Sequence, residues 1–428
     1  MTLADLAPIL NPIQSGRMIE VHAMKRLTVV AFALICMLPV RSSTALAASG
    51  PLPNRHLIPT QVKLVRGPAF YMPRQASPDL AQSENAVTYQ INPTHTGTID
   101  GPTLKLPFSV KWTAPLGQAS TYPVIANGRV FVGGTSVFAL NAATGATLWN
   151  KATPSIGLAF GSGQVFSLSG GGQLASFVPA TGVQLWFNSL PGQYAFSSPP
   201  TAGNGMVYTG GAGSGGTVYG VNATNGNLIW TNSVANGDDS SPSVTSTGVY
   251  VSYVCPQAYD FAPLTGVLIW HYSGPCEGGG GATAPLYQGL LYTESWASNP
   301  PGLILRGSDG SPLGTFNSLV TPAFAKGIGY FVENNNQSIV AISTTTGNVV
   351  WTQTLSGDQF SVPPIVITNT LSGTLVVCAT AAGSLEVYNA KVGTPLQSLS
   401  LGAGAESGMA FAHGLLVVPS GNNVIGLK

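Results

Sequence analysis

Charge is what this sequence has least of. Lys, Arg, Asp and Glu supply 31 of 428 residues, or 7%, against roughly a quarter in an ordinary soluble domain. With Lys+Arg 16 against Asp+Glu 15, there is no basic excess to neutralise phosphates, which argues against a nucleic-acid binder. Cysteine is scarce, with four residues and no adjacent pair. No GxSxG occurs, and GSGGT at Gly213 to Thr217 reads as a glycine-rich hairpin tip rather than a phosphate loop. His56, His95, His271 and His413 share no ligand spacing, which argues against zinc. No segment reaches eighteen consecutive apolar residues, so no membrane-spanning helix is expected in the mature chain. What the sequence has in excess is glycine (53) and proline (32), in a chain that is 44% hydrophobic. That is too apolar for a disordered chain and too punctuated for a helical bundle. An all-β fold with many tight turns is expected.

The N-terminus carries an export signal. Met24-Lys25-Arg26 is a short basic region, Leu27 to Leu38 an apolar run, and Ala45-Leu46-Ala47 a small-x-small cleavage site. Residues 1–47 are therefore expected to be a signal peptide, with Met24 as the true start. An uncleaved anchor is the alternative. Cleavage leaves 12 basic and 13 acidic residues, in a periplasmic or extracellular compartment that permits disulfides. Cys255 and Cys276 are expected to pair across one hairpin, and Cys378, in the strand-like TLVVCAT, to stay a buried free thiol. Residues 48–106 contain nine prolines between Pro51 and Pro107, with Arg55, Lys63, Arg66 and Arg74 ahead of any acid. They read as an extended strap or linker.

A repeat of about forty residues organises the rest, residues 107–428. Tryptophans stand at Trp112, Trp149, Trp186, Trp230, Trp270 and Trp351, with gaps of 37, 37, 44, 40 and 81. A missing member is expected near Leu313–Phe316, with an aromatic in its place. Gly145, Gly182, Gly226, Gly266 and Gly347 each stand four residues before a tryptophan, where a tight turn needs positive φ. A second marker, glycine followed by a short β-branched or aromatic run, recurs at Gly128, Gly163, Gly205, Gly248, Gly289, Gly327, Gly373 and Gly414. Four short strands per period predict a β-propeller of four-stranded antiparallel blades. The second marker counts eight blades. The Trp112 strand precedes the first of them and the chain stops at Lys428 before a last outer strand, so the N-terminal strand is expected to complete the last blade and hide both sheet edges.

The string AxNxxTGxxxW, best seen in Ala139 to Trp149, resembles the pyrroloquinoline-quinone (PQQ) type propeller repeat. The resemblance covers roughly residues 107–428 and is good in five blades. It implies that each tryptophan docks against the glycine-containing turn of a neighbouring blade. The family contains quinoprotein dehydrogenases and non-catalytic scaffolds such as the outer-membrane assembly propeller lipoprotein; the repeat is common to both, and fold does not give function. A quinone enzyme needs cationic partners for the three PQQ carboxylates, a Ca²⁺ held by Glu, Asn and Asp, and a carboxylate base. Within the propeller the basic residues are only Lys111, Arg129, Lys151, Arg306, Lys326, Lys391 and Lys428. Strand topology puts Arg129, Lys326 and Lys391 on the face away from where such cofactors sit. No catalytic or cofactor-binding residue is therefore assigned, and PQQ with Ca²⁺ remains an alternative.

Sorting loops by topology puts Asp238, Asp239, Glu277, Glu294, Glu333, Asp358 and Glu406 on one face, among loops that also carry Trp296 and Asn334-Asn335-Asn336. These acids are weak metal-ligand candidates, and the face is a candidate binding surface for Ca²⁺ or a basic segment, including the protein's own strap. The expectation is an exported, non-catalytic, monomeric scaffold that binds a protein or cell-surface polymer. The alternatives are a quinoprotein dehydrogenase and a glycan- or surface-binding adhesin. On this reading, deleting residues 48–90 leaves folding intact, whereas deleting 48–116 removes the closing strand and unravels the ring.

Overall fold

Glycine-closed turns every ten or so residues cut the chain into strands of two to seven residues, and these assemble into eight sheets. The structure is a computed structural model that describes residues 84–274, 280–294, 302–318, 320–333 and 335–428; strands are the only regular elements among them. The described residues all belong to one compact unit, Gln61–Lys428. Each sheet has four antiparallel strands, here A to D, and one of them gains a fifth, parallel strand, Thr98–Asp100. The eight A strands are Val124–Ala126, Gly157–Gly161, Thr201–Gly203, Ser243–Val244, Leu286–Tyr287, Ala323–Ala325, Ile365–Thr370 and Ala410–Ala412. A strands of neighbouring blades contact one another from blade 8 through blades 1, 2, 3 and 4 and between blades 6 and 7, so they form the inner ring.

Blade 8 takes its outer strand from the other end of the chain: Val110–Pro115 pairs antiparallel with Asn423–Leu427, setting Trp112 opposite Gly426. The D strands are the outer edges. Their alternation puts each tryptophan inward and its neighbours outward, leaving Leu148, Leu185, Ile229 and Ile269 between 44% and 49% exposed.

Six tryptophans join blade to blade. A Cβ placed on Gly145 would lie 2.6 Å from the Trp112 ring, on Gly226 2.5 Å from Trp186, and on Gly266 2.6 Å from Trp230. Only glycine fits there, and its φ of 67–76° in these turns is one that glycine alone adopts freely. Each indole Nε1–H also donates to a carbonyl of the next blade, from Trp112 to Ala142 at 3.0 Å through Trp351 to Ala390 at 2.9 Å.

Two junctions depart from this pattern. The register sets Gly314, not an aromatic, at the tryptophan position of blade 5, which corrects the expected substitution near Leu313–Phe316. Phe316 lies two residues further on and joins Tyr292, Phe324 and Phe331 in an aromatic cluster between blades 5 and 6, with Tyr292 and Phe324 centroids 4.4 Å apart. In blade 7 the position is Gln397, whose amide accepts from Phe108 N and donates to Phe108 O, both at 2.7 Å.

Residue 106 marks no structural boundary. The expected signal peptide and residues 48–83 of the expected strap lie outside the described residues, but residues 84–106 are folded into the ring. Ala86, Ile91, His95, Ile99 and Leu104 are all at most 3% exposed.

Two outcomes follow for stability. Trp186→Ala should cost about 3–5 kcal/mol, seen as a clear drop in melting temperature. Deleting residues 48–90 should lower the melting temperature more than deleting 48–83, because it also strips Ala86 to Gln90 from the ring. Equal melting temperatures for the two deletions would contradict the packing described here.

Candidate functional site

The inner ring poses a main-chain problem, because an A strand pairs with strand B on one side only. Its other edge faces the axis, where buried N–H groups need partners. Residues 84–100 supply them. Ala86 and Ile125 of blade 1 exchange bonds at 2.8 and 3.0 Å, and Phe160 N of blade 2 donates to Val87 O at 2.7 Å. Val244 N (blade 4) donates to Pro93 O at 2.7 Å, Leu286 N (blade 5) to Thr94 O at 2.9 Å, and Phe324 N (blade 6) to Thr96 O at 2.8 Å. Val366 N (blade 7) donates to Gly97 O at 2.7 Å, where Thr98–Asp100 runs parallel to Ile365–Thr370. Side chains complete the set. Thr88 Oγ1 donates to Pro200 O of blade 3 at 3.0 Å, and Gln90 Nε2 to Pro364 O at 3.1 Å. Ile99 packs in one cluster with Phe411 of blade 8. One segment thus touches all eight inner strands, which only a path along the axis allows.

The tip of this segment, Tyr89 to His95, reaches the residues just before the A strands, and so the face of the D–A and B–C loops. His95 is fully buried, with Nδ1 2.7 Å from Tyr89 O and Nε2 2.9 Å from Pro242 O and 3.2 Å from Thr201 Oγ1. Burial lowers its pKa to about 4, against the two carbonyls, which favour the charged ring. The neutral ring can donate to only one of the two carbonyls. Burial also pushes Tyr89 up to about 12.

The acids singled out from sequence scatter around this mouth. Glu294 ends strand B of blade 5, is 2% exposed, and its Oε1 has no hydrogen-bond partner. Burial alone pushes it to about 8, and it lies close enough to Tyr89 to raise the phenol further. Glu333, which ends strand B of blade 6, is raised by burial to about 7, and its Oε1 is likewise unpartnered. Asp238 Oδ1, Tyr253 Oη and Asn336 Oδ1 are further buried oxygens without partners at this end. Asp239 is exposed, with φ 59°, and partial loss of water around its carboxyl, with Asp238 beside it, raises its pKa. Glu406 is exposed and Asp358 half-buried, and Asp358 accepts from Gln359 N at 2.7 Å and Ala382 N at 3.1 Å. Glu277, Trp296 and Asn334 lie outside the described residues. Among the described residues no three of His, Cys, Asp and Glu gather closely enough to hold a metal, so the structure does not bring the candidate ligands together. Sequence reasoning missed Asp260, buried at the opposite end with its carboxyl pushed to about 8.

His271 Nε2 donates to Gln257 Oε1 at 2.9 Å and the ring stacks on Tyr259 at 4.0 Å, a satisfied structural role. Cys378 is buried and free, its thiol raised by burial. The pairing of Cys255 with Cys276 falls partly outside the described residues.

The family model described as outer membrane protein assembly factor BamB matches residues 133–284 and 293–427. The chain belongs to this PQQ-like propeller family. Its fold is similar to the crystal structure of BamB from Moraxella catarrhalis, at 14% identity and TM-score 0.58 over 75% of this chain and 100% of that one. It is similar also to a europium-containing methanol dehydrogenase, at 14% and 0.63 over 78% and 89%, and to a quinohemoprotein alcohol dehydrogenase from Comamonas testosteroni, at 14% and 0.62 over 81% of each. At these identities the likeness shows the fold alone. No curated relative matches the sequence.

The enzymes among these neighbours raise the question of a quinone. The described residues do not fit one bound at the axis: no lysine or arginine is among the buried polar residues to pair with its carboxylates, and residues 86–99 run through the channel.

The shifted groups make stability depend on pH. Folded His95 stays neutral down to about 4 while the unfolded ring protonates near 6.5, so stability falls as pH drops through that window. Folded Glu294 stays protonated up to about 8 while its unfolded carboxyl ionises near 4.5, so stability falls as pH rises through that window; Glu333 and Asp260 act in the same direction. The melting temperature should therefore decline from about pH 6.5 towards 8, and Glu294→Gln should flatten that decline. An unchanged slope in the variant would contradict it.

Proposed function

We propose that this chain is an exported, non-catalytic propeller that acts as a binding or assembly scaffold in the cell envelope or outside the cell, and that the face of the D–A and B–C loops is its binding surface. The observation that carries the reading is the filled axis. Where a cofactor enzyme of this fold would need a cationic pocket, this chain places its own uncharged residues 86–99. The family description, an outer membrane protein assembly factor, points the same way. The carboxyl groups of Asp238, Asp239, Asp358 and Glu406, half-buried or exposed on that face, favour a basic segment as partner. The strap residues Arg55, Lys63, Arg66 and Arg74 make a peptide of residues 55–74 a natural probe.

Incubation with PQQ and Ca²⁺ should give neither a bound-quinone absorbance nor dye reduction; either signal would revive the dehydrogenase reading. The 55–74 peptide should bind the mature chain, and neutralising Asp238, Asp239, Glu277 and Glu333 together should abolish that binding. Undiminished binding would refute the acidic-face assignment.

The Cys255–Cys276 disulfide belongs to the same exported reading. Gly274, two residues before Cys276, already lies against this corner: Gly274 N donates to Pro256 O at 2.9 Å, and a Cβ there would meet Cys255 O. Non-reducing peptide mapping should find these two cysteines linked and Cys378 free, and another pairing would overturn the assignment.

A further inference from the structure

The bonds along the axis are those of a receptor holding a peptide. Four plug carbonyls within five residues, Pro93, Thr94, Thr96 and Gly97, accept from the inner strands of blades 4, 5, 6 and 7, and Val87 O accepts from blade 2. Recognition of this kind reads main chain and so accepts many sequences, with specificity left to a few side chains. Here those are Thr88, Gln90 and His95, which meet the ring through Thr88 Oγ1, Gln90 Nε2 and His95 Nε2. Residues 85–99 carry no Lys, Arg, Asp or Glu, in keeping with a channel whose wall offers no buried cation. The segment is also separable from the ring in a way no blade strand is. It joins the closing strand of blade 8 through Pro102, Thr103 and Lys105, which are exposed.

We propose that the channel of this propeller is a peptide-binding site which the chain fills in cis with residues 84–100, and that when the covalent link is opened it takes in trans a peptide that turns back on itself as Thr88 to Ile91 do and carries no charge between its ends. The tether holds the resident segment at a high effective concentration, so the intact chain excludes competitors even if the segment's own affinity is modest. The site is distinct from the acidic face, and neither proposal depends on the other.

The test uses the full chain with a specific protease site inserted between Thr103 and Leu104 and cut after folding. A fluorescent peptide of residues 84–101 should exchange into the cut protein and not into the uncut one. Near-ultraviolet circular dichroism of the interblade tryptophans should stay unchanged throughout. The same peptide carrying Gly97→Val should bind at least tenfold more weakly. Gly97 has φ +66°, and a Cβ on it would lie 3.0 Å from Ala323 Cβ and 3.1 Å from Pro364 O. Equal binding to cut and uncut protein would place the peptide on the surface, and equal binding of the valine peptide would show that the channel does not read it. Both overturn the proposal. So does a cut protein that never exchanges its fragment, or one that melts on losing the fragment and is not rescued by excess peptide, since the segment would then be core rather than ligand.

Discussion

Eight strands arranged around an axis leave eight main-chain edges pointing at it, and each buried N–H left without an acceptor costs about 1–3 kcal/mol. In this protein one short segment answers that demand. Its carbonyls meet the inner-strand amides of blades 2, 4, 5, 6 and 7, it exchanges bonds with blade 1, and the Thr88 hydroxyl caps a carbonyl at blade 3. Much else depends on this arrangement. It fills the axis, it carries Tyr89 and His95 to the face of the D–A loops, and it places them where the buried carboxyl of Glu294 influences the phenol.

The outer part of the ring is held by a different device. An indole inserted beside a glycine turn joins six of the eight blade pairs, each through packing and one hydrogen bond. Where the tryptophan is missing the junction is rebuilt, by an aromatic cluster around Tyr292 and Phe324 in one case and by the Gln397 amide on Phe108 in the other. Both solutions are nearly free of charge, as is the whole chain. The few carboxylates that are buried, Glu294 and Asp260 among them, are held protonated near neutrality by burial rather than by ion pairs.

The blades are legible in the sequence because their construction repeats: a glycine needing positive φ, four residues, an inward tryptophan. Gly145 with Trp149 and Gly226 with Trp230 announce hairpins by local pattern alone. Such patterns reveal where turns lie, but not what each indole touches; Trp186 meets Gly226 of the next blade, not Gly182 of its own. The axial segment repeats nothing. Prolines upstream of Pro78 make residues 48–106 read as a single strap, although one proline, Pro93, stands between Pro78 and Pro102 and Val87, Tyr89 and Ile91 alternate like a strand. That local alternation is the signal the segment offers. Nor can loop topology alone tell an exposed acid from a buried one, so Asp358 and Glu294 rank equally as ligands although one faces water and the other is sealed against Tyr89.

If the segment caps the inner ring, the amides of Phe160, Val244, Leu286, Phe324 and Val366 are protected in the native protein by bonds that no blade strand supplies. Amide hydrogen exchange resolved to these residues is the direct measurement. The account predicts that they exchange as slowly as the interiors of strands B and C, and that Gly97→Val in the full chain speeds Phe324 and Val366 selectively while the interblade contacts of Trp112 and Trp186 persist. Rapid exchange of these five amides in the unmodified protein would contradict it.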